Sequence, residues 1–461
     1  MDTPEVSNYP MHVVIIGNGI AGITCARWVR KLSDHQITVI SAESDHFFSR
    51  TALMYVYMGH MRFEDLKPYE DWFWEKNRID LKRAFVERID AKGKQVFTAD
   101  KEVISFDKLV LATGSQPNKF GWSGQDLGNV GGMVSVQDLE RMEAASEGLE
   151  RAVVVGGGLI GIEMAEMFHS RHIPVTMLVR EDSYWNSVLP SEESDMVNEE
   201  ILKNGIDLRL NSELDRIEDG GTGKVTHLFT KDGERIDCGF VGLTAGVHPN
   251  LALVKDSEIE NDKGILVNEY LQTNHPDVYA IGDCAQLRNP PPNRRPIEAV
   301  WYVGRMQGET AAYNICGKPA PYRPGIWFNS AKFIDLEYQV YGDIQAKRSD
   351  EYDTFYWEHP KGNKSVRIDY DRTTKAVRGF NLMGIRYRHE VCDKWLREDT
   401  HIDEVMTHLG LANFDPEFYR EFEAEIVNAY NRQTGSNLRL KTRRGLGAVL
   451  RFLRRPKTAN A

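Results

Sequence analysis

The stretch His12-Val-Val-Ile-Ile-Gly-Asn-Gly-Ile-Ala-Gly22 runs branched apolar residues straight into glycines at 17, 19 and 22. It predicts a buried strand that turns directly into a helix. Gly17 permits the tight turn, Gly19 lets the backbone approach a pyrophosphate, and Gly22 lets the helix press against the strand. The phosphates would sit over Ile20 and Ala21, where free N–H groups and the positive end of the helix dipole converge. Ile23 to Lys31 continues the helical pattern, and Gln36 to Ser41 reads as a second strand ending near Glu43. That carboxylate either meets an adenosine ribose or is a solvated charge after a strand.

With 461 residues and 41% hydrophobic content, the chain can fill two to four domain cores. A formal charge of -11 argues against general nucleic-acid binding, which needs a basic face to neutralise phosphates. Met1-Asp-Thr-Pro-Glu-Val has neither the basic start nor the apolar core of a secretory signal, and no apolar run approaches the roughly 20 residues that span a bilayer. Cys25, Cys238, Cys284, Cys316 and Cys392 lie far apart, which gives no metal-type spacing and no disulfide framework. A reducing cytoplasm is the expected compartment, and Cys25 is expected to be a small core residue.

Beyond Glu43, Ser44 to His60 reads as a loop followed by an aromatic-rich helix, and Ile79 to Val110 as short strands. Ala112-Thr-Gly-Ser115 ends this unit, with Gly114 again permitting close backbone approach. A second strand and glycine turn then begins at Arg151-Ala-Val-Val-Val-Gly-Gly-Gly-Leu-Ile-Gly161. Two such turns in one chain imply two bound dinucleotides or one duplicated scaffold. After the following strand, Val175 to Val179, the acid that selects NADH is missing; Arg180 and Glu181 stand next and give a divided answer on the 2′-phosphate. Asn211 to Thr230 is a strand and turn region. Gly246-Val-His-Pro-Asn250 closes the second unit. Asp277-Val-Tyr-Ala-Ile-Gly-Asp-Cys284 then delivers Gly282 and Asp283 at a strand's carboxyl end, where the carboxylate can accept from a sugar hydroxyl, cap a helix, or do both.

Taken in order, Gly17-x-Gly-x-x-Gly22, Ala112-Thr-Gly-Ser115, Gly156-x-Gly-x-x-Gly161-Ile-Glu163, Gly246-Val-His-Pro-Asn250 and Ala280-Ile-Gly-Asp-Cys284 resemble the FAD-dependent pyridine nucleotide-disulfide oxidoreductases. Phe47-Phe-Ser-Arg-Thr-Ala-Leu53 resembles the segment that lies along the flavin in rubredoxin reductases, ferredoxin reductases and nitrite reductase large subunits. The resemblance implies an α/β fold with two Rossmann-like domains: an FAD domain at 1–116 and 251–318, interrupted by an NAD(P)H domain at 117–250. An α+β interface domain at 319–435 and a basic tail at 436–461 would follow.

By the same resemblance, Gly17, Gly19, Ile20, Ala21 and Gly22 hold the FAD pyrophosphate, Glu43 meets the adenosine ribose and Asp283 the ribityl chain. Arg50, Ala112, Thr113, Gly114, Gly282 and Trp301 also border FAD. Gly156, Gly158, Ile160 and Gly161 hold the nicotinamide dinucleotide, with Arg180 and Gly246 nearby. Glu163 lies near the nicotinamide carboxamide and the flavin, so Glu163 and Arg50 are the catalytic candidates. Glu166 is expected to be solvated.

Two departures stand out. No cysteine occurs between Phe47 and His60, which points away from thiol relay chemistry. The lysine often found beside flavin N5 is also absent, leaving Arg50, Tyr55 or Tyr57 as substitutes.

From Pro319 the pattern alternates like an antiparallel sheet, and helices are expected at His389 to Leu396 and Pro416 to Asn431. The expected activity is transfer of a hydride from NAD(P)H to FAD and of electrons onward to a rubredoxin- or ferredoxin-like protein or a quinone. The alternative is a regulatory flavoprotein whose cofactor state controls partner binding. The stretch from Leu438 to Lys457 is basic, with Leu446, Val449, Leu450 and Leu453 at helical spacing. It suits peripheral contact with an anionic membrane or an acidic partner, or is a solvated tail.

Overall fold

The computed structural model describes residues 10–347, 349–415, 417–418 and 420–441. The chain divides into two compact units. Among the described residues, one contains the chain up to Tyr184 together with Leu202–Pro324; the other contains Trp185–Ile201 and the chain from Gly325 to Lys441.

The first unit has a mixed α/β fold built on two parallel sheets. In the first sheet the order is Val278–Ala280, Lys108–Leu111, His12–Ile16, Gln36–Ser41, Ile79–Arg83, with every pairing parallel. The run Val13-Val-Ile-Ile16 is central and buried, as a strand covered on both faces must be. Helix Ile20–Leu32 packs closely on helix Trp301–Ile315. A Cβ on Gly308 would stand 2.4 Å from the Ala21 carbonyl oxygen, so only glycine allows this approach.

The second sheet repeats the plan. Its order is Asp207–Arg209, Val175–Leu178, Ala152–Val155, Phe240–Leu243, Val130–Gly131, again all parallel. In both sheets the strand that empties into the glycine turn is the central one, so the turn emerges at the carboxyl end of the sheet.

The second unit carries an antiparallel sheet in the order Phe328–Phe333, Leu336–Gly342, Val377–Met383, Ser365–Asp371, Tyr352–Glu358. Val366, Ile368, Phe380 and Leu382 join a core with helices His389–Arg397, Ile402–Thr407 and Glu423–Thr434. The alternate residues Arg367, Asp369 and Asn381 face the other way and are also buried. Helix Glu423–Thr434 begins seven residues later than the sequence pattern suggests. Phe422 is drawn into the core and caps the helix, Glu423 and Glu425 fill the first turn, where the dipole favours acids, and Gly435 ends it at φ +74°.

The basic stretch singled out from Leu438 is described only as far as Lys441, whose N–H donates to the Thr407 carbonyl; the remainder lies outside the described residues. No helix among the described residues is long and apolar enough to cross a membrane.

Candidate functional site

Each glycine of the first turn has a different neighbour. Gly17 adopts φ +113°, its N–H donates to the Ile40 carbonyl at 2.8 Å, and a Cβ there would lie 2.1 Å from the Ala112 carbonyl oxygen. Gly22 presses on the turn itself, since its Cβ would lie 2.0 Å from the Gly17 oxygen. Gly19, the N-cap of helix Ile20–Leu32, is different: a Cβ there would meet nothing within 4 Å. The second turn divides its labour in the same way. Gly156, at φ +130°, is pinned against the Thr244 carbonyl and Gly161 against the Gly156 oxygen, both at 2.6 Å; Gly158 caps helix Leu159–Ser170 and faces open space. Helix N-termini opening onto empty space, with first-turn N–H groups at Ile20, Ala21 and Ile160 lacking intrahelical partners, are anion-binding geometry.

Around the first cradle the structure brings together residues far apart in sequence. Gly282, at φ +73°, faces Ala21, and its N–H donates to Gln307 Oε1 at 2.7 Å. Ser115 Oγ donates to Asp283 Oδ2 at 3.0 Å. Burial raises the Asp283 carboxyl, while Ser115 and then Arg50 pull it back down. Asn18 ties the turn to the next loop by donating to the Ser44 and His46 carbonyls. Trp301 stacks near Phe47, with centroids 6.2 Å apart. Thr113 Oγ1 donates to the Asn250 carbonyl at 2.9 Å, and Gly114 and Gly246 both take positive φ where Ser115–Pro117 pairs with Val247–Pro249.

Glu43 is neither bare nor solvated. Arg50 grips both its oxygens, at 2.7 and 2.5 Å, and the Val136 N–H donates to Oε1 at 3.1 Å.

At the second cradle, Tyr184 is buried and its hydroxyl donates to the Gly158 carbonyl at 2.6 Å. Burial, with Glu166 nearby, raises the Glu163 carboxyl to about 7. Glu166 is itself buried, not solvated, because the helix is covered on this side as well. Arg180 reaches back to Glu181 at 2.7 Å, so its guanidinium is already matched in charge.

Cys25, Cys238, Cys284 and Cys392 are buried and Cys316 half-buried, and burial pushes every one of these thiols up. Asn18, Gln307 and Tyr184 were not singled out from sequence; each acts through a tertiary contact that no local motif encodes.

The pattern characteristic of pyridine nucleotide-disulphide oxidoreductases matches residues 11–308. The chain is 30% identical over 338 residues to the assimilatory nitrate reductase electron transfer subunit of Bacillus subtilis, covering 72% of this chain but only 43% of that protein. It is 30% identical over 339 residues to the nitric oxide reductase FlRd-NAD(+) reductase of Salmonella newport, covering 73% of this chain and 87% of that one. A NAD-dependent persulfide reductase from A. fulgidus shares the fold, with a TM-score of 0.81 at 24% identity over 92% of this chain and 84% of that one. On these matches, with both glycine turns inside the matched stretch, the chain belongs to the pyridine nucleotide-disulphide oxidoreductase family, whose cofactors are FAD and NAD(P)H.

Proposed function

We propose that this chain accepts a hydride from NAD(P)H onto FAD and hands the electrons to a small redox protein. The observation carrying this reading is the pair of cradles, each with its middle glycine facing open space at a helix N-terminus. Gly17, Gly19 and Gly22 would hold the FAD pyrophosphate with the N–H groups of Ile20 and Ala21, and Asp283 the ribityl chain, oriented by Ser115. Glu43 retains lone pairs to accept from a ribose hydroxyl while Arg50 fixes its carboxylate. Gly156, Gly158 and Gly161 would hold the nicotinamide dinucleotide. Glu163, near neutrality partly protonated, can donate to the carboxamide oxygen and so orient the nicotinamide ring. Bound FAD supplies the relay between a two-electron donor and one-electron acceptors.

The raised thiols support a route without a thiol relay, since thiolate is the reactive form. The names of the two relatives, an electron transfer subunit and a reductase of FlRd, support a protein acceptor of the rubredoxin or ferredoxin kind. A quinone is the alternative acceptor, reached through attachment of the basic stretch 438–457 to an anionic surface. We place the FAD unit at 1–116 and 251–318 and the NAD(P)H unit at 117–250, except for the segment Trp185–Ile201, which groups with the second compact unit.

Anaerobic mixing with NADH tests the reading: rapid bleaching of the flavin band and recovery on adding rubredoxin or a soluble quinone are expected. A long-lived charge-transfer complex that no acceptor discharges would favour the regulatory flavoprotein instead.

A further inference from the structure

Three helices from separate stretches of the chain converge on Tyr57. This residue ends the short helix Leu53–Tyr57, which directly follows Arg50–Ala52, and it is 1% exposed. The guanidinium of Arg171 covers its ring, with the central carbon 3.7 Å from the centroid. The same group donates to the Tyr57 carbonyl oxygen from Nε at 2.9 Å and from Nη2, and Nη2 also pairs with Glu143 at 3.1 Å on helix Val136–Ser146. On the aromatic side, Phe168 sets its ring edge-on to Tyr57 with centroids 5.8 Å apart, and the tyrosine hydroxyl shares a hydrogen bond with Ser146. Tyr57 is therefore committed to packing, which takes it out of consideration as a group beside the flavin.

Arg171 immediately follows helix Leu159–Ser170, the helix that starts on Gly158 and carries Glu163. One side chain thus joins the helix of the second cradle to the helix beyond Arg50. Stacking on a ring, doubly bonding a carbonyl and meeting a carboxylate together require a planar fork of donors. Lysine, a point charge on a flexible stem, can satisfy only part of this set. The Arg171 side chain is 32% exposed, so its removal opens no sealed cavity.

We propose that Arg171 is a positioning residue for hydride transfer, holding the nicotinamide-side helix in register with the flavin-side helix; this rests on the functional reading above. Transfer requires reacting atoms within roughly 3–3.5 Å, and a shift of about 1 Å costs about 100-fold in rate.

The test is anaerobic stopped-flow reduction of the FAD-loaded full chain by NADH and by NADH deuterated at the transferred position, comparing the native protein with Arg171→Leu and Arg171→Lys. The limiting rate of flavin reduction should fall about 10- to 100-fold in Arg171→Leu and by less in Arg171→Lys, with a larger isotope effect in both. Half-saturation by NADH should stay within about threefold, and FAD content near one per chain. An unchanged limiting rate in both variants, or a loss confined to half-saturation, overturns the proposal. If Arg171→Leu fails to hold FAD, Arg171→Lys decides alone by its limiting rate. If the native protein is reduced by neither NADH nor NADPH, the functional reading itself fails; native reduction with indifferent variants sinks the positioning role alone.

Discussion

The carbonyl oxygen of Gly17 occupies the space into which a Cβ on Gly22 would project, 2.0 Å away, while Gly19 between them has nothing within 4 Å of its own missing Cβ. Gly22→Ala should therefore damage the fold, because backbone must move, at a cost of about 1–3 kcal/mol. Gly19→Val should leave the apoprotein folded, because its Cβ meets nothing within 4 Å and only some N-cap preference is lost, yet colourless, since the branch enters the space a pyrophosphate needs. Chemical denaturation of the apoproteins and flavin absorbance of the purified variants separate the two. A Gly19→Val protein that keeps its full FAD contradicts the assignment.

Glu163 should leave a signature in stability against pH. Its carboxyl is raised from 4.5 to about 7, so between those values the native state holds a proton that the unfolded state has released. Stability from this group is complete below about 4.5 and is lost as pH rises through about 7. Glu163→Gln, which keeps the shape without the charge, should melt like the native protein at pH 4 and at a higher temperature at pH 8. Equal differences at both pH values would show that burial does not govern this carboxyl.

At the end of strand Val175–Leu178, the pair Arg180 and Glu181 should set the nicotinamide preference. With the guanidinium held by its own neighbour, NADH is the expected donor. Glu181→Gln frees Arg180 for a 2′-phosphate and removes a repelling charge, so kcat/KM for NADPH relative to NADH should rise by about fivefold, the upper value of about 1 kcal/mol for a solvated pair. No change in that ratio would place the 2′-position elsewhere.

In the second unit, Glu193 is wholly buried and relies on Arg367, with Nε to Oε1 at 2.7 Å and Nη2 to Oε2 at 2.8 Å. Arg367→Met should cost about 3–5 kcal/mol, because it strands a buried carboxylate, and adding Glu193→Leu should recover most of that loss. Urea unfolding of the single and double variants checks this. A double variant no more stable than the single one would mean that the pair contributes more than mutual neutralisation.

Much of the parallel-sheet architecture was legible because its requirements are local. Gly17 and Gly156 need left-handed backbone, Gly22 and Gly161 need no Cβ, and both demands recur at fixed spacing beside an apolar strand. The surroundings of those turns were less legible. Gln307 reaches Gly282 across 25 residues from a helix whose apolar pattern does not mark it, and Glu166 looks like any exposed acid until the covering elements are in place. The late start of helix Glu423–Thr434 has the same origin, since Phe422 is claimed by a core assembled from distant strands. Tyr57 read as a residue that could face the flavin only while Arg171, 114 positions away, was out of view.

The excursion of Trp185–Ile201 into the second unit means that the backbone passes between the units three times, after Tyr184, after Ile201 and after Pro324. A fragment ending at Pro324 would carry Glu193 without Arg367, and a fragment starting at Gly325 would carry Arg367 without Glu193. Neither half is a cassette. Any chimera that exchanges the C-terminal unit with that of a relative must also transplant the seventeen-residue excursion, so the two segments form one unit of inheritance despite the 123 residues that separate them in the chain.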